Sequence, residues 1–506
     1  MLLPLHKTAL DAMDPLFNAD FSDNGSRLEH LLLSDHSALS ALTLVRQVPN
    51  KRYVYRAIWQ GQAVYAKVFV GENNARYANR DLNGVQYLLS AKISTPPLLF
   101  SGQSHDKKAQ VLIFLAIENA ENAEVFWLSS DEQSRFALAK KLVVSVAQHH
   151  QAGLIQKDLY FKNFLVQNDK IYTLDGDGIR RLSFLFEKQQ RRHNLATLFS
   201  KMDVLDDHWI SQLCQCYCEQ LGEKYSALVI DELLHLTQKI RRQVTNGYAN
   251  VKVFRTCSDV KVAKSFELFT AVSNEFDVND FSLSTLDLAL LDEKSNLKNG
   301  NTCTVTKATV NDHALVIKRY NIKNCWHGIN RAFRVSRAAT SWANAYRLII
   351  SGISTPKPIA LIESRFGVFR RRAYFLSEYI DAPDALTYFT QHRQLPDRVL
   401  VAENIATLFY KLYLLKFSHG DCKANNIKIV NGVPMLIDLD SMKAHSIHQF
   451  LAFWFEKKHI KDLKRLMNNW ANDGAVSALL KEAFIKKYAQ NGLIGQAHIL
   501  VRAKIA

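Results

Sequence analysis

Four polar residues in segment 419–440 have the types and the spacing that phosphoryl transfer requires. The segment reads HGDCKANNIKIVNGVPMLIDLD, with Asp421, then Lys423 at plus two, Asn426 at plus five and Asp438 at plus seventeen. One carboxylate can orient an attacking hydroxyl, a carboxamide and a second carboxylate can hold Mg²⁺ on the phosphates, and a lysine can offset the charge of the transferring group. We therefore predict that Asp421 and Lys423 are catalytic and that Asn426 and Asp438 bind the metal.

Two short apolar strands must position these residues. Residues 427–430 read IKIV and residues 435–437 read MLI, with an Asn-Gly turn at 431–432 between them. Asn-Gly is a strong signal for a tight hairpin because both residues tolerate positive φ. A hairpin returns the chain to the edge from which it started. We therefore expect Asp438 to lie beside the loop that carries Asp421 and Asn426.

The same pattern occurs a second time, 263 residues earlier in the chain. Residues 156–177 read QKDLYFKNFLVQNDKIYTLDGD, in which Asp158, Asn163 and Asp175 keep the spacing of the later segment. Three matching spacings indicate an internal duplication, so we predict Asp158 as a catalytic residue and Asn163 and Asp175 as metal ligands of the first copy. Tyr160 stands at the plus-two position, where a phenol cannot offset charge as a lysine does. We therefore expect the second copy to contribute the larger share of activity.

Each copy also has a strand with a lysine ahead of its loop. Lys67 lies in the run AVYAKVFV and Lys318 in ALVIKR, and each run is followed by a helix that ends before ISTP. In protein kinases a lysine on such a strand contacts the nucleotide phosphates. Neither copy has a full glycine-rich phosphate loop, and no Asp or Glu occurs between Lys318 and Pro356. The usual lysine–glutamate ion pair is therefore absent in that form from the second copy.

The 506-residue chain has a net charge of +16, which predicts attraction to an anionic partner. Nucleic acid, an acidic membrane surface and a phosphorylated substrate all fit that charge. We expect a membrane or substrate to face a set of basic residues that occur without an acid in segment 319–355, followed by three arginines. These are Arg319, Lys323, Arg331, Arg334, Arg337 and Arg347, and then Arg370, Arg371 and Arg372.

The cysteine content and the apolar runs limit the environment of the protein. The seven cysteines form no repeated CxxC pairs, which is typical of reduced thiols rather than of a disulfide framework. No apolar run approaches the roughly 18 residues of a membrane span, so we expect any membrane contact to be peripheral. The N-terminal residues lack a basic segment followed by a long apolar core, which is not the pattern of a signal peptide.

The second half of the chain resembles the lipopolysaccharide core kinases, a kinase-like group that includes heptose kinases, Kdo kinases and InaA-type proteins. The residues that carry the resemblance are VIKRYN (316–321), the run 336–365, the HGDCKANN loop, IDLDSM (437–442) and KDLKRLMNNW (461–470). The first half resembles the heptose-kinase branch through AGLIQKDLYFKNFLV (152–166) and LATLFS (195–200).

The resemblance implies an α+β protein made of two tandem protein-kinase-like domains, each with a small β-rich N-lobe and a larger helical C-lobe. It implies an enzyme that uses ATP and Mg²⁺ to phosphorylate sugar hydroxyls, of heptose or Kdo, in the lipopolysaccharide core. In that fold Lys67 and Lys318 bind the nucleotide, and Glu378 lies at the hinge beside it. The expected partners are the core oligosaccharide and the anionic inner-membrane surface on its cytoplasmic face, with no nucleic acid.

We expect the first domain to span residues 1–260 and the second to span residues 265–506. Two other interpretations of the same residues stay open. One is a protein kinase or a small-molecule kinase, such as an aminoglycoside-type phosphotransferase. The other is a pseudokinase scaffold that recruits the enzymes of core assembly. The retention of the Asp and Asn residues in both copies argues against a complete loss of catalysis.

Overall fold

The chain forms two compact units in the computed structural model. The first unit contains Met1–Met202 and Trp209–Thr237, and the second contains Asp203–His208 and Gln238–Ala506. The domain limits expected from the sequence, 1–260 and 265–506, stay a prediction. The structure describes residues 30–48, 50–224, 227–291, 296–300, 303–320, 335–367, 369–391, 394–446, 449–489 and 497–505.

The N-terminal part of the first unit is a six-stranded antiparallel sheet with a helix packed on it. Its strand order is β1-β2-β3-β4-β6-β5. Every second residue of β3 is buried, including Tyr53, Tyr55, Ala57 and Trp59, because successive side chains of a strand point to opposite faces. The elements are β1 (His30–Leu32), β2 (Ala38–Val48), β3 (Arg52–Trp59), β4 (Gln62–Phe69), α1 (Asn74–Ser90), β5 (Leu98–Gln103) and β6 (Gln110–Leu115).

The remainder of the first unit is mainly helical, with two small sheets that carry the catalytic-type loop. Strands β10, β9 and β7 form one sheet, and β11 pairs with β8. The division between the units falls within the last helix of the series. The elements are β7 (Glu121–Asn122), α2 (Ala123–Ser129), α3 (Glu132–Gln151), β8 (Leu154–Gln156), β9 (Phe164–Gln167), β10 (Lys170–Thr173), β11 (Ile179–Arg181), α4 (Glu187–Phe199), α5 (Ile210–Leu221) and α6 (Ala227–Asn250).

The second unit repeats this plan with a seven-stranded sheet. The strand order is β12-β13-β17-β18-β16-β15-β14, with antiparallel pairing throughout. The elements are β12 (Val260–Lys264), β13 (Leu268–Ser273), α7 (Leu283–Ala289), β14 (Asn296–Asn299), β15 (Cys303–Val310), β16 (His313–Tyr320), α8 (Arg337–Ile350), β17 (Pro358–Phe366) and β18 (Phe369–Glu378).

The helical part of the second unit has its core around one 20-residue helix, α10. Residues 401, 405, 409 and 413 of that helix recur every four positions and are all buried, which places them on one apolar face. The elements are α9 (Ala385–Gln391), α10 (Leu395–Leu414), β19 (Phe417–Ser418), β20 (Ile427–Val430), β21 (Val433–Leu436), β22 (Lys443–Ala444), α11 (Gln449–Met467), α12 (Gly474–Ala489) and α13 (Ala497–Ala503).

The predicted α+β class with a sheet-rich part and a helical part in each half is confirmed. The Lys-Asn-Gly sequence at 298–300 predicts a turn, but Lys298 and Asn299 belong to β14 and pair with β15. The N-terminal segment 1–29 and the basic residues Lys323, Arg331 and Arg334 lie outside the described residues. In the part of the chain that is described, no helix is both long and apolar enough to cross a membrane.

Candidate active site

The two catalytic-type loops have the same internal hydrogen bond. In the second unit the side-chain amide of Asn426 donates to the backbone carbonyl of Asp421 at 2.7 Å. In the first unit the amide of Asn163 donates to the carbonyl of Asp158, also at 2.7 Å. A five-residue spacing thus closes each loop on itself and fixes the asparagine beside the aspartate.

The predicted hairpin brings the second carboxylate to each loop. Strands β20 and β21 pair through the Asn431-Gly432 turn, and the N–H of Ile437 donates to the carbonyl of Asn426 at 3.0 Å. In the first unit β9 and β10 pair, and the N–H of Leu174 donates to the carbonyl of Asn163 at 2.8 Å. Each of these donors directly precedes the predicted metal-binding aspartate, so the hairpin places that aspartate next to the asparagine.

In the second unit Lys318 contacts the carboxylates that follow the hairpin. Its ammonium lies 2.5 Å from Asp438 and 3.2 Å from Asp440, and Arg337 at the start of α8 lies 2.6 Å from Asp440. Burial acts to lower the pKa of Lys318, but the charges of Tyr320, Asp438 and Asp440 outweigh it, and the pKa is raised. Lys318 therefore stays charged beside the predicted metal site.

The first unit holds its lysine differently, through a residue that the sequence reasoning missed. Asp81 of α1 is fully buried, and its carboxylate lies 2.7 Å from the ammonium of Lys67. Lys67 also lies 3.4 Å from Asp175, and Arg52 lies 3.1 Å from Asp175. Burial acts to raise the pKa of Asp175, but Lys67 and Arg52 hold it well below its usual range. The first unit thus has a lysine–carboxylate pair between strand and helix, as protein kinases have with a glutamate.

Asp421 lies between two cations in the second unit. The guanidinium of Arg465 is 3.0 Å from its carboxylate, and the ammonium of Lys423 is 3.4 Å away. Arg465 is on α11 and also donates to the carbonyl of Gly420. The site therefore concentrates positive charge where a phosphoryl group would be transferred.

Helix α11 fixes the backbone of this loop with a second side chain. Asp462 accepts hydrogen bonds from the N–H of His419 at 2.8 Å and of Gly420 at 3.1 Å. The segment KDLKRLMNNW contains both Asp462 and Arg465, so a signal for them was present in the sequence, although their contact with the loop depends on the packing of α11.

In the first unit a lysine approaches the loop from the end of α4. The ammonium of Lys201 lies 3.9 Å from the ring centroid of Tyr160, and that of Lys162 lies 5.2 Å from the same ring. Burial lowers the pKa of Lys201, and the nearby carboxylate of Asp158 opposes this shift. Lys201 thus brings a cation to a loop that has a phenol at plus two. No local pattern links Lys201 to this loop, because Lys201 is 43 residues beyond Asp158.

Glu378 lies at the end of a strand, and Arg347, one of the basic residues of segment 319–355, is buried. Glu378 is the last residue of β18; its side chain is exposed and its N–H donates to the carbonyl of Lys357 at 3.0 Å. The expectation that Arg347 faces an anionic partner is wrong. Arg347 is buried and bonds Asn344 and Asn250, and burial lowers its pKa to about 10.

The other described arginines of that set mostly contact acids of the same unit. Arg319 and Arg372 both pair with Asp287, and Arg370 lies 3.5 Å from Glu363. These ion pairs form within the sheet-rich part, so much of the arginine charge is already balanced by carboxylates.

The oxygen-bearing residues fit a magnesium ion. The amide nitrogen of Asn426 is used by the loop, which leaves its oxygen, together with the carboxylate of Asp438, for a hard cation. Among the described residues, no group of three or more His, Cys, Asp or Glu side chains could hold a metal ion. Mg²⁺ is commonly bound by one or two protein ligands together with substrate phosphates, which matches this small donor set.

Each of the two units combines a sheet-rich part and a helical part with a lysine, a loop aspartate, an asparagine and a second aspartate. This arrangement defines a tandem protein-kinase-like protein. The model of the lipopolysaccharide kinase (Kdo/WaaP) family matches residues 49–225 and 290–488. The chain belongs to that family and is a kinase, with the family region present twice. No curated protein matches the sequence.

Solved structures similar to this chain include three kinase-related proteins. WaaP in complex with acyl carrier protein has 16% identity and a TM-score of 0.31, covering 40% of this chain and 88% of that one. WbdD, co-crystallised with a kinase inhibitor, has 15% identity and a TM-score of 0.26, covering 38% of this chain and 44% of that one. Vaccinia related kinase 3 has 12% identity and a TM-score of 0.25, covering 51% of this chain and 80% of that one.

Proposed function

We propose that this protein transfers the γ-phosphoryl group of ATP to a sugar hydroxyl, of heptose or Kdo, in the lipopolysaccharide core. The observation that carries the proposal is the position of Asp421, which is closed against Asn426 and lies within 3.4 Å of both Arg465 and Lys423. Membership of the lipopolysaccharide kinase family supports the acceptor class.

Each residue of the second unit has a distinct part in this reaction. The carboxylate of Asp421 accepts the hydrogen bond of the acceptor hydroxyl and takes its proton as the oxygen attacks phosphorus. Lys423 and Arg465 stabilise the negative charge on the equatorial phosphoryl oxygens. Lys318 holds the phosphates, while Asn426 and Asp438 would hold Mg²⁺, which when bound neutralises charge on the phosphate oxygens. Glu378 marks the hinge where the nucleotide base would lie.

The first unit has an equivalent set in Asp158, Asn163, Asp175 and Lys67, and we propose that it contributes the smaller share. Its loop aspartate is flanked by Tyr160, and the cation comes from Lys201 on another element. The second unit instead places Lys423 and Arg465 on the carboxylate itself. Two cations within 3.4 Å of the loop aspartate in the second unit, against a lysine stacked on a phenol in the first, support this ranking.

The remaining parts of the proposal concern organisation and location. The kinase domains would span residues 1–260 and 265–506, and the protein would act as a peripheral protein at the cytoplasmic face of the inner membrane. Its partners would be the core oligosaccharide and the anionic membrane surface, with no nucleic acid. The net charge of +16 supports attraction to such polyanionic surfaces.

The test compares two charge-removing variants with matched controls in the full chain. Phosphate transfer from ATP to a purified, water-soluble core oligosaccharide is measured, and the modified hydroxyl is located by ³¹P NMR. Asp421→Asn should remove most of the transfer, and Asp158→Asn should leave a measurable part. The controls Asp397→Asn and Asp169→Asn remove exposed carboxylates of the second and first units and should change little.

Three outcomes would contradict parts of this proposal. If Asp158→Asn loses all transfer while Asp421→Asn is normal, the ranking of the two units is wrong. If each variant loses phosphate from a different sugar, both units are independent enzymes. If the wild-type protein binds Mg-ATP but modifies no core sugar, the acceptor class is wrong and a scaffold role gains support.

A further inference from the structure

The two units share a five-residue pattern outside their catalytic loops. Residues 184–188 read FLFEK and residues 453–457 read FWFEK, 269 positions apart. Both segments lie at the start of a helix that supports the loop: Asn194 of α4 donates to the carbonyl of Gln156, and Asp462 of α11 accepts from the N–H of His419. The repeated pattern therefore also lies at the start of the equivalent helix of each unit.

The first two apolar residues of this pattern are exposed in both units, whereas Phe455, the third in the second unit, is buried in the core. Phe184 is 92% exposed and Leu185 is 81% exposed in the first unit, and Phe453 is 54% and Trp454 is 59% exposed in the second. Large apolar side chains side by side on a surface mark interaction sites rather than core. The first pair lies in a short 3₁₀ turn before α4, and the second lies on a face of α11.

Lysines surround the aromatic pair of the second unit. Exposed lysines at positions 457, 458, 461 and 464 continue from Phe453 and Trp454 along one face of α11, because residues three and four apart are neighbours on a helix. The ammonium of Lys457 lies 5.9 Å from the ring centroid of Phe453 and 6.0 Å from that of Trp454. The acid within this pattern, Glu456, is paired with Arg502 at 3.1 Å. The face is thus apolar at one end and strongly positive along the rest.

The first unit has a shorter version of the same surface. Exposed Lys188 follows Phe184–Phe186, and exposed Arg181 precedes it. The acid of the pattern, Glu187, is again paired, with Arg191 at 2.5 Å. In both units the carboxylate is balanced by an arginine, while lysines remain exposed beside the apolar side chains.

We propose that these two surfaces, Phe184–Lys188 and the exposed α11 face from Phe453 to Lys464, dock on an anionic lipid bilayer by inserting their apolar side chains between the headgroups. Aromatic and aliphatic tips flanked by lysines match the boundary between acyl chains and anionic headgroups. The basic residues first expected to face a membrane include Arg347, which is buried, and arginines that pair with Asp287 and Glu363. On the α11 face, exposed apolar side chains and exposed lysines lie together.

Bilayer docking deepens the membrane association that is part of the proposed function, and the placing of a membrane-bound acceptor next to the loop rests also on the proposed sugar transfer. One face of α11 holds Asp462 and Arg465 against the loop, and the other carries the lysines. Docking would therefore set the distance between the bilayer and the catalytic loop.

The experiment uses the full chain and vesicles of phosphatidylglycerol and phosphatidylcholine that contain no core sugar. Trp454 is the exposed tryptophan among those described; positions 59, 127, 209, 342 and 470 are buried. Trp326, which lies outside the described residues, is replaced by Phe in every sample. Lipids brominated on the acyl chain should then quench the fluorescence of Trp454, and adding Trp454→Phe should abolish that quenching while keeping binding. Binding is measured by co-sedimentation in low and in high salt, because salt screens charges but not apolar insertion.

The variants separate insertion from simple charge attraction. Phe453→Ser with Trp454→Ser should weaken binding at least tenfold in high salt, and adding Phe184→Ser with Leu185→Ser should weaken it further. The control pair Leu395→Ser and Leu400→Ser, exposed on α10, should bind as wild type. Lys457→Gln with Lys461→Gln should weaken binding mainly in low salt.

Two results would overturn the proposal: binding of the aromatic variants equal to that of the control pair, or bound protein whose Trp454 is not quenched by brominated chains. If neutral vesicles bind the protein as strongly as anionic ones, the lysines do not contribute to docking and that part of the proposal is wrong. Transfer to the soluble core oligosaccharide should be unchanged in the aromatic variants. If the wild type fails to modify that acceptor but still docks, the proposed sugar transfer fails and this inference stands.

Discussion

The ammonium of Lys67 donates to the carboxylate of Asp81 at 2.7 Å, across the strand and helix of the first unit. Asp81 stands twelve residues before Ile93, and Ser341 stands twelve before Ile353, at the start of the shared ISTP segments. Ser341 bonds the hydroxyl of Tyr320 at 2.9 Å, and Lys318 contacts Asp438 instead. The two units therefore hold their lysines with different partners. The first has a lysine–carboxylate pair between strand and helix, whereas the second has no Asp or Glu between Lys318 and Pro356 that could form it.

Asp81→Asn should weaken the first site specifically. The amide cannot hold Lys67 in place by charge, so we expect transfer by the first site to fall about 10- to 100-fold, equivalent to about 1.4 to 2.7 kcal/mol. The measurement is KM for ATP and kcat in an Asp421→Asn background. Ser341→Ala in an Asp158→Asn background is the matched control and should leave the second site nearly unchanged. Equal losses in both would show a general effect on folding.

Lys201 should supply the missing cation of the first loop. Lys201→Met should lower kcat of the first site by about tenfold or more, because the phosphoryl charge loses a cation worth at least 1.4 kcal/mol. Lys201→Arg should restore most of kcat, since a guanidinium can also stack on Tyr160. Lys162→Met is the control on the same ring. A Lys162→Met loss larger than that of Lys201→Met would assign the role to Lys162.

Asp462 should position the second loop rather than react. Asp462→Asn replaces an acceptor of two backbone N–H groups, so we expect a stability loss of about 1–3 kcal/mol and a lower kcat with little change in KM for ATP. Thermal unfolding and steady-state kinetics measure the two effects. Glu482→Gln, an exposed change on α12, should alter neither. A KM effect without a kcat effect would place Asp462 in nucleotide binding instead.

Two buried histidines should make the protein less stable in acid. Burial lowers the pKa of His459 to about 3 and that of His150 to about 4. An unfolded histidine takes up a proton below about pH 6.5 and the folded one does not. The stabilisation is thus present above about pH 6.5 and is lost as the pH falls toward these folded values. Each histidine that takes up a proton on unfolding makes the free energy of unfolding depend on pH by up to about 1.4 kcal/mol per pH unit.

His459→Phe tests this assignment through the slope rather than through total stability. Urea unfolding between pH 6 and pH 4 should show a shallower pH dependence in the variant, by up to about 1.4 kcal/mol per pH unit. His498→Gln removes a half-exposed histidine and is the control. An unchanged slope in His459→Phe would mean that other groups dominate acid unfolding.

The loops and hairpins were predictable because their signals are local. Asp421 and Asn426 lie five residues apart, and Asn431-Gly432 dictates the turn that returns Asp438 to them, so spacing and turn chemistry suffice. Both turn residues have positive φ, as such a turn requires. The equal spacing of Asp158, Asn163 and Asp175 then follows from duplication.

Asp81, Lys201 and Arg347 were not predictable in the same way because their roles depend on packing between elements. In the sequence, Asp81 is an ordinary polar residue of a predicted helix, and it is the packing of α1 on β4 that brings it to Lys67. Arg347 reads as one more positive charge, although α8 buries it. Long charged side chains are mostly exposed, so a sequence interpretation places them outside by default. The face of a helix that packs on the sheet decides which of its charged residues are buried.

Asp175 and Asp438 both have a left-handed backbone, with φ of 61° and 60°. That conformation costs an L-residue roughly 1–2 kcal/mol, and glycine adopts it freely. In the genetic code one base change converts aspartate to glycine, which would relieve the strain, although the ion pairs with Lys67 and Lys318 would be lost. A duplicated copy released from selection for chemistry thus has a short evolutionary route away from this aspartate. Both copies carry aspartate at this left-handed position, so each has the carboxylate that its lysine contacts.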